Sequence, residues 1–356
     1  MNSIKTIFFG STSDSVIVLN KLCQVSGVTL QAIVTQPAKP VGRDQVMTHT
    51  PVEIWAKDHN IPVLTFPSNQ EKSWLYENES EVIESLSTFQ ADLIISACYG
   101  ERIPIQVIQA TKFGGINVHP SLLPRWRGGD PVPWAILAGD HQTGATIVTL
   151  QGSFDTGEII DQVKIPITDH DFPDTLRSSL FTKGATLLAD VLPMYIADQK
   201  NNKTSRYHVL KQDNMKQHPV ARRLTRSDGY IPFELIQRAL QKVDAPTIQS
   251  NEAGSRHTKP DPAPLDNITI IKVALEQSEE KQIHLPMLIQ RAFRAFSPWP
   301  GIWTTIEIKG DQKRLKILDV SIDPSAQTLK IKTVQLEGKS PVSWEQFTTA
   351  YLIADS

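Results

Sequence analysis

The first thirty-five residues constrain the fold more than any other stretch. Ile4 to Phe9 is an apolar run closed by Gly10-Ser11-Thr12. From about Asp14 to Gln24 the apolar residues Val16, Leu19 and Leu22 recur at helical spacing, and Thr29 to Thr35 is a second strand-like run. Strand, helix and strand at this spacing predict a βαβ unit, with both strands parallel in one sheet. The alternation continues. Pro51 to Asn60 reads as a helix, Val63 to Phe66 as a short strand, and Glu77 to Phe89 as a helix burying Val82, Ile83 and Leu86. Asp92 to Ala97 is continuously apolar, as the centre of a parallel sheet should be. Further strands are expected at Ala145 to Leu150 and Ile159 to Ile167. Further helices are expected at Pro133 to Ala138, stopped by Gly139, and at Pro173 to Ile196. The expectation is an α/β domain over residues 1–200 with a doubly wound, Rossmann-like parallel sheet.

A βαβ unit raises the question of nucleotide binding. The first turn reads Gly10-Ser11-Thr12-Ser13-Asp14-Ser15 and has neither the Gly-x-Gly-x-x-Gly fingerprint nor a Walker A loop. Dinucleotide and ATP binding are therefore rejected, while the doubly wound fold is kept. Ligands of such sheets bind beyond the carboxyl ends of the strands. That rim should gather Tyr99-Gly100, which follow Asp92 to Ala97, and the residues that follow Gly114-Gly115-Ile116. Asn117 and His119 are two apart and so share one face of a strand. Pro120 has no N–H to give and ends the pairing. Asp155 follows the run Ala145 to Leu150 and lies in a turn beside Gly157. A His, an amide and a carboxylate at strand ends are the parts needed for acyl-group chemistry. The nine histidines are scattered, and there is no His-Glu-x-x-His or paired-Cys motif, so no metal site is expected.

The remainder reads as a second domain. Gln199 to Ser205 is polar and opens a linker over 201–220. Trp303 to Ile308, Leu315 to Ile322 and Leu329 to Val334 are alternating strands, which predict a smaller OB-like β-barrel over 221–356. Within it, residues 245–264 are rich in Pro, Ser and charge, and are expected to be a mobile insertion. Charge differs between the halves. Residues 1–200 carry 14 Lys and Arg against 21 Asp and Glu, a balance of −7, whereas residues 201–356 carry 22 against 17, a balance of +5. A basic second part suits a phosphate backbone. Arg291 and Arg294 lie on one helical face there and are expected to meet RNA phosphates. With 21% charged residues, no apolar run of eighteen, no signal-like start and two cysteines expected as buried packing residues, the expectation is a cytoplasmic protein without a membrane span.

Asn117-x-His119, Ser121-Leu122-Leu123-Pro124 and Asp155 together resemble the signature of the folate-dependent formyltransferases. Arg125-Trp126-Arg127-Gly128, Thr35-Gln36-Pro37 and Gly42-Arg43 resemble the branch of that family acting on methionyl-tRNA. So do Leu224 to Ile231 and Arg294-Ala295-Phe296-Ser297-Pro298-Trp299-Pro300-Gly301, so the resemblance covers nearly the whole chain. It implies transfer of a formyl group from 10-formyltetrahydrofolate to the α-amine of methionyl initiator tRNA, for translation initiation. It further implies that Asn117 donates to the oxyanion, that His119 is the general acid/base and that Asp155 orients His119. The pterin ring of the folate would enter beside Tyr99, Gly100, Ser121, Leu122, Leu123 and Pro124, held largely by backbone groups. Arg43, in a loop that reaches the acceptor end of the tRNA in this family, is expected to contact tRNA together with Arg125 and Arg127. The match departs after Arg43, where relatives often carry lysines and this chain has Asp44-Gln45-Val46-Met47. The loop 36–43, with two prolines and a glycine, is expected to hold no regular element. A monomer is expected. The alternatives are a formyltransferase acting on glycinamide ribonucleotide or an amino sugar nucleotide, a 10-formyltetrahydrofolate hydrolase, and a catalytically silent RNA-binding protein.

Overall fold

A computed structural model of the chain describes residues 3–42, 44–201, 210–212, 217–241, 247–248 and 283–351. They fall into two compact units. Unit 1 holds Met1–Pro131, Gln142–Pro166 and Thr175–Ala221; unit 2 holds Val132–His141, Ile167–Asp174 and Arg222–Ser356.

Unit 1 opens with β1 (Ile4–Phe9), α1 (Ser13–Leu22) and β2 (Val28–Thr35), paired in parallel as the sequence predicts. Thr12 caps α1 by accepting from the Ser15 N–H, the bond that stops an orphan donor at a helix start. Gly10 is set by close packing. A Cβ there would meet Ser15 Cβ at 2.7 Å and the Ala97 carbonyl at 2.8 Å. After β2 come β3 (Lys39–Val41) and β4 (Val46–Thr48), an antiparallel hairpin. This corrects the expectation of an irregular loop: Pro40 is tolerated because the two-stranded ribbon leaves edge positions that need no N–H. Arg43 lies outside the described residues.

The unit continues with α2 (Pro51–Asp58), β5 (Val63–Thr65), α3 (Glu79–Ser87), β6 (Leu93–Ser96), α4 (Ile105–Gln109) and β7 (Gly115–His119). Then follow β8 (Arg127–Gly128), β9 (Gln142–Thr149), β10 (Ile159–Pro166), α6 (Pro173–Asn201, from Thr175 in this unit) and β11 (Val220–Ala221), while α5 (Pro131–Ala138) belongs to unit 2 from Val132 onward. The main sheet has the order β10-β9-β7-β6-β1-β2-β5. It is parallel from β7 to β5, while β9 pairs antiparallel with both β7 and β10. Alternation splits its apolar residues between two cores. Phe8, Ile33, Ile95, Ile116 and Val118 join α1, α2 and Phe181, Leu188 and Leu192 of α6 on one face. Ile7, Phe9, Val34 and Ile94 join Val82, Leu86, Val107 and Ile108 on the other. A sheet buried on both faces needs the near-continuous apolar strands seen in β1 and β6. Among the described residues, α6 is the one helix long and apolar enough to cross a membrane by length and composition. The apolar side of its Thr175–Asn201 part is spent on the first of these cores.

Unit 2 contains α7 (Phe233–Leu240), β12 (Thr247–Ile248), β13 (Ile283–His284) and α8 (Leu285–Ala295). An antiparallel sheet follows, ordered β14 (Ile302–Ile308), β15 (Asp311–Ile322), β16 (Leu329–Leu336) and β17 (Val342–Ser343), with a final helix α9 (Trp344–Tyr351). Lys309 and Gly310 form the two-residue turn between β14 and β15, both with positive φ, 54° and 83°. That is the turn whose twist matches a hairpin. The expected insertion 245–264 lies outside the described residues apart from β12, as does most of 201–220.

One correction comes from this unit and one from unit 1. Arg291 and Arg294 do lie on one helical face, but that face points inward, leaving them 8% and 4% exposed. Arg294 donates to the carbonyls of Thr168 (2.9 Å) and Asp171 (3.2 Å). The Arg291 guanidinium occupies the space beside Gly139, where a Cβ would lie 2.3 Å from its nearest nitrogen. Helical spacing says which residues share a face, not whether that face meets water, so neither arginine presents itself to a phosphate backbone. Among the cysteines, Cys98 is half-buried and Cys23 is exposed, against the expectation that both are buried.

Candidate active site

The rim beyond the carboxyl ends of the strands gathers the three residues of the acyl-transfer motif. β7 pairs with β6 through Asn117 and Ser96, and with β9 through His119 and Thr146. Asn117 and His119 project on one side, as the two-residue period requires. Asp155 sits in the turn between β9 and β10 with φ of 53°, in the left-handed region. The turn is tightly built. A Cβ on Gly157 would lie 1.8 Å from the Thr149 carbonyl, so glycine is obligatory.

One carboxylate joins the set. Asp155 Oδ1 accepts from the Asn117 amide at 3.1 Å and lies 3.4 Å from His119 Nδ1; its Oδ2 accepts from the Gly128 N–H at 3.0 Å. The imidazole is almost wholly buried. Its Nε2 lies 3.0 Å from the Trp126 carbonyl. A carbonyl only accepts, so Nε2 carries a proton. Nδ1 is turned to the Asp155 carboxylate, which is placed to support charge on His119. The Asn117 amide has two hydrogens, one of them directed at Asp155.

The Ser121–Pro124 turn is held from below. Thr146, fully buried, donates through its hydroxyl to the Ser121 carbonyl at 2.6 Å. The same oxygen accepts from the Leu123 N–H at 3.2 Å and from Gln162 Nε2 at 2.8 Å. The Ser121 hydroxyl donates to the Arg125 carbonyl at 2.7 Å. The Leu123 side chain packs with Val148 and Ile159, and Leu122 covers Gly144. These side chains are spent internally, and so is that of Tyr99, whose ring meets Phe9 edge-on at 5.2 Å and whose hydroxyl accepts from Tyr76. Burial pushes the Tyr99 phenol far above its ordinary range. Gly100 follows with φ of 92°. Pro124 and Arg127 are half-buried. The Arg125 guanidinium lies over the Trp126 ring, 4.5 Å from its centre.

Sequence reasoning missed four contributors. Trp126 and Gly128 act through backbone atoms, which no side-chain pattern reveals. Thr146 reads as one more β-branched strand residue. Gln212 lies in a polar stretch that looks like linker, yet its amide donates to the carbonyls of Asp155 (2.8 Å) and Gly157 (2.7 Å).

Residues 4–192 match the family model described as formyl transferase. The chain is 42% identical over 193 residues to the methionyl-tRNA formyltransferase of Halalkalibacterium halodurans, covering 54% of this chain and 58% of that protein. It is 41% identical over 194 residues to the protein of the same name from a Geobacillus species, with the same coverage. The chain thus spans about half the length of the curated relatives it matches. Among solved structures it is similar in fold to the N-formyltransferase of Helicobacter canadensis, with a TM-score of 0.50 and 16% identity over 90% of this chain and 88% of that one.

Proposed function

The chain belongs to the formyl transferase family, and on that premise we propose that it moves a formyl group from 10-formyltetrahydrofolate to the α-amine of methionyl initiator tRNA. The observation that carries the reading is the convergence of Asn117 and His119 on the single carboxylate of Asp155. Identity of about 40% to proteins named for methionyl-tRNA supports the choice of acceptor.

In this reading the second amide hydrogen of Asn117 donates to the formyl oxygen as negative charge builds there. His119 exchanges protons through Nε2, because Nδ1 is turned to Asp155. The substrate amine therefore takes the place that the Trp126 carbonyl holds at 3.0 Å. The bond from the amine to the formyl carbon forms as the bond from that carbon to the donor nitrogen breaks. The amine proton ends on the departing nitrogen. Asp155 stabilises the imidazolium between those two transfers.

Because the side chains of Tyr99, Ser121 and Leu123 are used internally, the pterin ring is assigned to the backbone edges of Tyr99–Gly100 and Ser121–Pro124. Arg125 and Arg127, beside the site, are retained as tRNA contacts, and Arg43 with them. In unit 2 we take the four-stranded sheet with its packed helices as the core of an OB-like RNA-binding domain. The protein then works as a cytoplasmic monomer. Purified protein offered 10-formyltetrahydrofolate with methionyl-tRNA, an amino sugar nucleotide, glycinamide ribonucleotide and water as competing acceptors tests this. Formylmethionyl-tRNA as the dominant product is expected; preference for a nucleotide amine or for water would overturn the reading.

A further inference from the structure

The stretch after α6 does more than connect. Leu210 exchanges two backbone hydrogen bonds with Ile159, at 2.9 and 3.0 Å. Two residues on, Gln212 Nε2 donates at once to the Asp155 and Gly157 carbonyls. Two acceptors on one atom fix the amide orientation, since only the NH2 group has two hydrogens. Further along, the Pro219 carbonyl accepts from the Trp126 N–H at 3.1 Å. Val220 and Ala221 then pair in parallel with Arg127 and Gly128. Gly128 in turn caps the Asp155 carboxylate. Within unit 1, residues 210–212 therefore hold the turn that carries the carboxylate, and residues 219–221 hold the segment that covers it.

The turn needs holding. Asp155 lies at φ of 53°, a left-handed conformation that Asp tolerates better than most residues but that still gains from contacts holding it. That backbone sets the direction of the Asp155 Cα–Cβ bond, so whatever fixes the Asp155–Gly157 carbonyls sets where the carboxylate starts towards Asn117 and His119. Among the described residues, Gln212 is a side chain that does so from outside the turn.

We propose that Gln212 is a positioning residue for formyl transfer, acting through Asp155. The role rests on the formyl-transfer reading, but the test separates the two. Gln212→Ala removes both donors. Gln212→Glu sets an acceptor-only carboxylate against two carbonyls. Lys211→Ala, an exposed neighbour, serves as control. Both Gln212 variants are expected to lose about ten- to a hundredfold in kcat, the scale of a misplacement near 1 Å, with the KM of the formyl donor within about twofold and the protein still fully folded at the assay temperature. In an Asp155→Asn background, Gln212→Ala should cost less than about twofold more, because residues acting as one unit are not additive. A Gln212 variant keeping more than about half of wild-type kcat, a loss that tracks unfolded protein, or independent multiplication of the two effects would each overturn the proposal. If wild type prefers another amine or water, the functional reading falls, and the same ratios measured on that acceptor still judge Gln212. The NMR shifts of the His119 ring nitrogens, recorded at a single pH, need no acceptor at all: they should move in Gln212→Ala, and unmoved shifts refute the role.

Discussion

Replacing Thr146 by valine should separate the floor of the site from its chemistry. Valine matches threonine in shape but removes the hydroxyl that sits between three partners. Gln162 keeps a second acceptor, the Leu123 carbonyl at 2.9 Å. The Ser121 carbonyl and the Leu123 N–H lose the partner they have here, in a place with no solvent access at Thr146. An unmet buried polar group costs roughly 1–3 kcal/mol. Two such groups, partly relieved by relaxation, predict a loss of about 2–4 kcal/mol. Chemical denaturation of wild type, Thr146→Val and Thr146→Ser measures it. Serine keeps the hydroxyl and loses a methyl, so it should cost only about 1 kcal/mol. The Ser121–Pro124 turn should also loosen in the valine variant, raising the KM of the formyl donor more than it lowers kcat. A valine variant within about 0.5 kcal/mol of wild type would refute the claim that this hydroxyl holds the turn.

Two other outcomes follow from the same geometry. Arg294→Ala should destabilise unit 2 by about 2–4 kcal/mol, because a buried guanidinium bonded to the Thr168 and Asp171 carbonyls is lost; thermal melting alongside the KM for methionyl-tRNA tests it, and a raised KM with an unchanged melt would restore Arg294 as an RNA contact. Burial pushes the Cys98 thiol up to about 12, so at pH 8 only about one molecule in ten thousand carries the thiolate; iodoacetamide should label exposed Cys23 in the folded protein and both thiols in urea, and rapid labelling of Cys98 would contradict this.

Local pattern carried the strands, the motif and its shared face. β1 spans Ile4–Phe9 as read, because an apolar run bounded by a glycine turn leaves little freedom. Asn117 and His119 meet Asp155 because a period of two is a property of any strand. What stayed hidden depends on which way a face turns, or on backbone atoms. Arg291 and Arg294 have the spacing of a shared face whether that face is wet or dry. Lys39–Val41 hides a strand behind a proline, since an edge strand forgives what a central one does not. The antiparallel course of β9 and β10 follows from their connections, not from their composition. Gln212 carries no sequence signal at all: a polar residue in a polar stretch acquires its meaning only when two carbonyls are brought to it.

The central claim is that the Asp155 carboxylate, with Asn117 and His119, carries formyl transfer to the amine of methionyl-tRNA. The measurement that meets it most directly is single-turnover formylation of methionyl-tRNA by wild type and Asp155→Asn at saturating 10-formyltetrahydrofolate, with circular dichroism and donor binding recorded on the same samples. The account predicts formylmethionyl-tRNA from wild type, and a rate at least about a hundredfold lower from the variant, with fold and donor affinity retained. No formylmethionyl-tRNA from wild type, or a folded variant working at more than about half the wild-type rate, would contradict it.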